Sequence, residues 1–539
     1  MSLLSTLFRS GYLRAVDHAL AQSLLRLRPE TPDDVLAAIA LASRVVAEGH
    51  SQLPLAQVSG FLADLLPEQV LPALPALHDW LELLRASPWI QDERAVVLER
   101  EALSLRRYWW HETQLARALL ARLDANDRPR LRLLTGGPGT GKTTRAATLI
   151  AALGASSSDP LRIALAAPTG KAASRLGDVV NTQLAALAAE GVAGAREALA
   201  HPIEARTLHR LISWRRGGDV AHHAGAPLPF DIVVVDEASM VDLPMMARLL
   251  DAVAPDACLI LIGDRDQLPS VETGDVLAAL CDAADRNARL AACRQHLTTV
   301  HRHGDSNEVS VLANLIRTGE SEMVVARLRN NPFSGVHWRA GHDDAIAAAT
   351  LELALPAFRA VQAAANPREA LLLAASFRVL TAVREGAAGS QTLNAIISAA
   401  LDPPRRGDGM FKGRLVLITE NSPRHGLYNG DVGIAWPDED GEARVWFENN
   451  EGLRAWLPSA LPAHESAFAL TVHKAQGSEF DRVLLALPER GARVLSRELL
   501  YTGLTRCRSE ITLWGSEVAL RQAIGKRAQR WSGLAERLG

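Results

Sequence analysis

The sequence predicts an α/β protein with two parallel-sheet domains, an N-terminal helical region and a small inserted β-module. Three observations predict it. Short, mainly apolar runs at 131–134, 163–167, 232–235 and 259–262 each end at a polar or glycine-rich turn, with helical stretches such as 143–153 between them. That alternation marks buried parallel strands in a doubly wound sheet. A second set of runs, at 377–381, 482–487 and 510–514, repeats the pattern downstream. Between those runs, 414–419, 432–436 and 443–447 are short and β-like, with a tight turn at Asn429-Gly430-Asp431.

In chain order, residues 1–105 read as helices. Pro32 followed by Asp33 and Asp34 is a helix start, and 35–46 carries apolar residues at helical spacing. No chemical motif lies there, so a solvated helical bundle and a docking surface are both open readings. A first α/β domain spans 106–330, with a small inserted hairpin at about 213–228. A second spans 331–410 and 466–539, with the β-module inserted at 411–465.

Composition bounds the function without choosing it. At 539 residues the chain is long enough for about three to five domains. With 48% hydrophobic and 22% charged residues it falls in the soluble globular class. No apolar run approaches the ~18 residues of a membrane span, and Arg9, Arg14 and Asp17 interrupt the apolar N-terminus, so a cytoplasmic protein without membrane association is expected. Cys258, Cys281, Cys293 and Cys507 form no C-x-x-C pair, which points to reduced thiols. A net charge of −3 excludes a general basic coat, so any nucleic-acid contact must be a local channel. The only lysines are Lys142, Lys171, Lys412, Lys474 and Lys526. In a chain that otherwise uses arginine, these positions require a compact ammonium.

Gly136-Gly137-Pro138-Gly139-Thr140-Gly141-Lys142-Thr143 fits the phosphate-binding loop G-x-x-x-x-G-K-[ST] between a predicted strand and a predicted helix. Together with Thr144, its backbone amides and helix N-terminus suit nucleoside triphosphate phosphates. Lys142 reaches the β/γ oxygens and Thr143 ligates Mg²⁺. Asp236 and Glu237 follow the apolar strand 232–235, where the first acid holds Mg²⁺ and the second activates water. Helix capping is the ordinary alternative for both acids. Gln267, in Gly263-Asp264-Arg265-Asp266-Gln267-Leu268-Pro269, sits at a strand end suited to positioning the attacking water. Arg506, in Thr505-Arg506-Cys507-Arg508, suits an arginine finger crossing from the second domain.

The ordered set GGPGTGKTT, APTGKAA, VVVDEAS, GDRDQLPS, TVHKAQGSEFD and YTGLTRCR resembles the motif series of superfamily 1 helicases. With ARTLHRLI, FRVLTAVREG and LYNGDVG it resembles the RecD family, the α subunits of exodeoxyribonuclease V. The resemblance covers about residue 106 to the C-terminus, and more weakly the N-terminal region through Glu48-Gly49-His50 and Leu53-Pro54-Leu55. It implies two RecA-like motor domains and an SH3-like β-module. It also implies an ATP site made of Lys142, Thr143, Asp236, Glu237, Gln267, Arg302 and Arg506, with Arg302 carried on the short pattern His301-Arg302-His303. For the nucleic-acid strand it implies Pro168, Thr169, Lys171, Ser174, Thr207, His209, Thr471 and His473. Capping or packing is the alternative for Thr207 and His209.

The implied activity is an ATP-dependent 5′-to-3′ DNA helicase using ATP and Mg²⁺. It would act on single strands and duplex ends with RecB-like and RecC-like subunits in double-strand-break repair and recombination. The chain lacks the long N-terminal extension of free-standing RecD-like helicases and a nuclease carboxylate constellation, so cutting is expected of a partner. The alternatives are a free-standing helicase and an ATP-switched, single-strand-binding regulatory subunit. The first would unwind alone; the second would turn over slowly with little stimulation by strand.

Overall fold

The computed structural model describes residues 2–65, 72–91, 95–123, 130–157, 159–213, 221–299, 308–330, 335–402, 409–422, 424–449, 452–489 and 494–539. The N-terminal unit is built around the helix Asp33–Ala47, whose first turn carries Asp33 and Asp34 where the helix dipole favours negative charge. Its face from Val35 to Ala42 is buried among the surrounding helices. This region is not purely helical. Strands β1 (Leu53–Pro54), β2 (Val96–Glu99) and β3 (Ala102–Leu105) form an antiparallel sheet in the order β1-β3-β2. The β2–β3 turn uses Arg100 and Glu101 at positive φ, where glycine or asparagine is the usual signal.

The first α/β domain contains β4 (Leu131–Gly136), β5 (Ile163–Ala167), β6 (Ala205–Thr207), β7 (Ile232–Val235), β8 (Cys258–Gly263) and β9 (Arg294–Leu297). They make one parallel sheet in the order β6-β5-β7-β8-β4-β9. The central strands are buried end to end because helices cover both faces. Of the hairpin expected at 213–228, residues 214–220 lie outside the described residues; His223 and Ala226 exchange a two-residue antiparallel bridge.

The second α/β domain is built on a parallel sheet of β10 (Val336–Arg339), β11 (Phe377–Thr381), β17 (Ala469–Thr471), β18 (Phe480–Ala486) and β19 (Cys507–Trp514). Its order is β10-β19-β18-β11-β17. The inserted module is antiparallel: β12 (Leu415–Ile418), β13 (Val432–Pro437), β14 (Ala443–Asn449), β15 (Gly452–Trp456) and β16 (His464–Ser466), ordered β15-β14-β13-β12-β16.

Two segments pack outside their expected domains. The helices Glu308–Thr318 and Ser321–Asn330 bury Val309, Leu312, Ile316, Val324 and Val325 in the second domain's core rather than the first's. The C-terminal segment leaves the second domain altogether. Leu534, Ala535 and Leu538 join the first domain's core, and Trp531 packs against the N-terminal one. The helix Ile346–Ala363 is long and apolar enough, by length and composition, to cross a membrane, against the expectation that no run was. It carries Glu352 and Arg359 and an internal Pro356, and it buries Ile346, Ala349, Ala354, Phe358 and Val361 in the second domain's core.

The C-terminal strap accounts for Glu48-Gly49-His50. The Trp531 ring stacks on His50 at 4.3 Å, the Trp531 backbone N–H donates to His50 Nδ1 at 2.9 Å, and the Ser51 backbone N–H donates to Trp531 O at 2.9 Å. The Arg530 guanidinium lies so close to Gly49, which has φ +90°, that a Cβ there would collide with it. Beneath them the buried Glu112 carboxylate accepts from Ser51, Ser532 and Gly533, so one carboxylate joins the N-terminal unit, the first α/β domain and the strap.

Accepting a hydrogen bond at Nδ1 requires that nitrogen to be unprotonated, and burial followed by the Arg530 charge pushes the His50 pKa from 6.5 down to about 3. A folded pKa below the unfolded value contributes stability above the unfolded pKa and loses it as pH falls through and below it. Wild-type stability is therefore expected to fall below pH ~6.5 by up to about 1.4 kcal/mol per pH unit. In His50→Gln that component is absent. Thermal midpoints between pH 7 and 5 test this; parallel slopes in the two proteins contradict it.

Candidate nucleotide cleft and strand-facing edge

β4 ends in the loop that turns into the helix Lys142–Gly154, with Gly139 and Gly141 at φ +74° and +76°. A side chain at Gly136, φ +154°, would meet Leu297 O at 2.4 Å, so backbone must stand where any other residue would put a Cβ. The loop is stiffened by Thr140 Oγ1 donating to Gly137 O at 2.8 Å. Lys142 Nζ donates to Gly136 O at 2.7 Å and Gly137 O at 2.8 Å, which holds the ammonium over the cradle without a carboxylate partner. The amides at this helix N-terminus form an anion site.

β7 delivers Asp236 and Glu237 to the same edge. Glu237 has φ +50°, a left-handed conformation that costs a non-glycine residue about 1 kcal/mol or more and concentrates at functional sites. Its N–H donates to Asp236 Oδ1 at 2.8 Å. Removal from solvent, then the Glu237 carboxylate, raises the Asp236 pKa, and the Lys142 charge opposes them. A cation beside Asp236 would relieve that penalty. Thr143 and Asp236 supply hard oxygens to the cleft, the donors Mg²⁺ takes, so the residues present fit that ion.

β8 ends at Asp264, which is buried and accepts from Tyr501 Oη at 2.9 Å, Asp266 N–H at 3.1 Å and Gln267 Nε2 at 3.4 Å. Gln267 is thus held by a carboxylate that reaches the second domain. From that domain comes Arg506, 3% exposed, donating to Thr502 O, Ser478 O and Thr505 Oγ1 at 3.3–3.4 Å. These acceptors are neutral, so the guanidinium keeps its charge available to an anion in the cleft. A cavity of about 350 Å³ is lined by Gly139, Lys142, Thr143, Asp236, Glu237, Gln267 and Arg506. Five of the six described residues expected in the ATP site come from one domain and Arg506 from the other. Arg302 lies outside the described residues.

Sequence reasoning missed several cleft residues. Arg175 lines the cavity and pairs with Glu479 at 3.2 Å across the domain boundary. Tyr501 and Asp264 form their contact over 237 residues of sequence. An acid directly after an apolar strand was the available signal for Asp264; nothing local marked Tyr501.

The residues expected to meet the strand gather on adjoining strand ends. Pro168, Thr169, Lys171 and Ser174 follow β5. Thr207 ends β6, which pairs parallel with β5, and His209 follows it. Thr471 ends β17 in the second domain and His473 follows it. Thr169, Thr207 and Thr471 each accept a backbone N–H in a capping contact, at 3.3, 3.4 and 3.4 Å. The capping alternative for Thr207 is thus observed, and it leaves each hydroxyl proton to donate elsewhere. Lys171 Nζ lies 3.3 Å from Ser478 Oγ. Burial, then Arg530, lowers the His473 pKa.

Comparison with known proteins agrees with this architecture. Residues 9–103 match the family described as the RecBCD enzyme subunit RecD, N-terminal domain. Residues 117–338 match an AAA domain and 466–513 a UvrD-like helicase C-terminal domain. The RecBCD enzyme subunit RecD of Mycobacterium tuberculosis is 37% identical, over 98% of this chain and 96% of that protein. That of Mycolicibacterium smegmatis is 36% identical over 100% and 99%. The ATP-dependent RecD2 DNA helicase of Deinococcus radiodurans is 33% identical over 76% of this chain and 50% of that protein. With near-complete coverage on both sides, this chain belongs to the family of the RecBCD enzyme subunit RecD.

Proposed function

We propose that this chain is an ATP-dependent DNA helicase that translocates 5′ to 3′ as a subunit with RecB-like and RecC-like partners at duplex ends. The observation that carries the reading is the cleft itself, where the phosphate loop, the Asp236-Glu237 pair and Gln267 face Arg506 of the other domain across one cavity. A site divided this way senses domain closure. ATP phosphates entering the loop draw the Lys142 ammonium off the carbonyls of Gly136 and Gly137. Thr143 and Asp236 would hold Mg²⁺, which would neutralise part of the phosphate charge. Glu237 accepts the proton of the attacking water, Gln267 orients that water, and Arg506 meets the charge that develops on the transferred phosphoryl group. Closure is favoured while that charge persists and is released with product, so each turnover shifts the second domain along the strand. The names of the relatives support the partners and the substrate.

Phosphate release with and without single-stranded DNA tests the reading. The proposal expects strong stimulation by strand; slow turnover insensitive to strand contradicts it and favours a nucleotide switch. Thr471→Ala and His473→Ala should each weaken strand binding by about tenfold or more, the worth of one hydrogen bond to a charged phosphate. Anisotropy of a labelled oligonucleotide reads this directly, and unaltered affinity removes both residues from the strand path.

A further inference from the structure

We propose that the tip of the inserted β-module is a clasp that lands on the first motor domain and closes the strand groove, so that DNA is admitted by a free end. This rests on the reading that the ends of β5 and β6 carry the strand. The Arg210 guanidinium carbon lies 4.0 Å from the centroid of the Tyr428 ring, a cation–π contact. A Cβ at Gly170 would lie 4.0 Å from Tyr428 Cβ. Gly170 opens the helix after β5, and Arg210 lies in the short helix Leu208–Leu211 after β6. The Tyr428 ring therefore packs on Arg210 after β6, and the residue stands beside Gly170 after β5.

The tip is built to hold its shape. Tyr428 N–H donates to Asp431 Oδ2 at 2.7 Å, Asp431 N–H returns to Tyr428 O at 3.0 Å, and Gly430 N–H donates to Ile418 O at 3.0 Å. Leu427 anchors it in the module's core. Burial in the seat pushes the Asp431 carboxyl up to about 6, and the Lys171 and Arg210 charges beside it act against that shift.

Elsewhere on this sheet edge the motor domains touch directly. Leu268 N–H donates to Thr502 Oγ1 at 2.8 Å and Gln476 Nε2 to Leu268 O at 3.1 Å beyond β8, and Lys171 meets Ser478 beyond β5. The module, covalently part of the second domain's chain path, adds a second connection at Gly170 and Arg210. On this proposal a strand crossing the ends of β5 and β6 would pass between these two connections and beneath the tip. A free end threads through such an opening; a circle must wait for the contact to part.

A Gly170→Cys/Tyr428→Cys pair in the full chain has the Cβ separation of a disulfide. ATP turnover would be measured, oxidised and reduced, with linear and circular single strands of one sequence. The locked protein is expected to retain stimulation by linear DNA and to lose stimulation by the circle by an order of magnitude, with reductant restoring it. Equal stimulation by both DNAs in the locked form overturns the clasp, and loss of both shows the tip blocking the path instead of roofing it. Tyr428→Ala provides an independent arm: it should raise the circle-to-linear ratio above wild type, and an unchanged ratio also overturns the proposal. Stimulation of wild type by neither DNA would instead remove the helicase reading beneath it.

Discussion

Lys142→Ala is expected to abolish ATP hydrolysis while leaving the protein folded. The ammonium bonds to two loop carbonyls at the cleft, and its charge works against the burial that raises the Asp236 and Asp264 carboxyls, so truncation lets those two acids hold their protons more readily instead of leaving bare charges. The loop is held without it, by Thr140 and the packing of Gly136 against Leu297. What is lost is the cation closest to the transferred phosphate. Deleting a preorganised charge of this kind removes at least about 10²–10³-fold of turnover. Phosphate release beside thermal unfolding separates the effects. Retained strand-stimulated turnover would remove the loop from the chemistry, and a collapsed thermal midpoint would show the lysine to be structural.

Arg506→Ala should lower turnover by about 10³-fold or more, with nucleotide affinity changed far less. Arg506 is nearly fully buried and surrounded by neutral acceptors. A buried cation without a counter-ion is costly, and the cleft anion is the partner that offsets the cost. Binding of the resting nucleotide is dominated by the loop, so the arginine's contribution rises with the charge of the transition state. Arg506→Lys keeps the charge but loses the planar fork, and it should recover little. Fluorescent-nucleotide titration against single-turnover hydrolysis makes the comparison; equal losses in both would deny the finger role.

Much of this was legible in the sequence because the first motor domain speaks through local rules. Buried parallel strands read as short apolar runs, and the phosphate loop is contiguous. The parts that were not legible depend on distance or on unusual backbone. The β2–β3 hairpin turns through Arg100 and Glu101 at positive φ, a conformation their side chains do not advertise. Helix Glu308–Thr318 is amphipathic in either domain, and only tertiary packing assigns its face to the second. The strap at Arg530 and Trp531 meets Glu48 and His50 across more than 480 residues. Glu112, a buried acid within the helix Arg106–Leu123, gains its donors from distant parts of the chain, Ser51 and Ser532. Gln267 was legible as a cleft residue, but its anchor Asp264, shared with Tyr501, needed the assembled interface.

The central claim is that hydrolysis in the divided cleft drives directed movement along a strand. Displacement of streptavidin from biotinylated single strands measures it most directly. The account predicts ATP-dependent displacement from the 3′ end, little from the 5′ end, and none in Lys142→Ala. Rapid ATP turnover with no displacement from either end would contradict it.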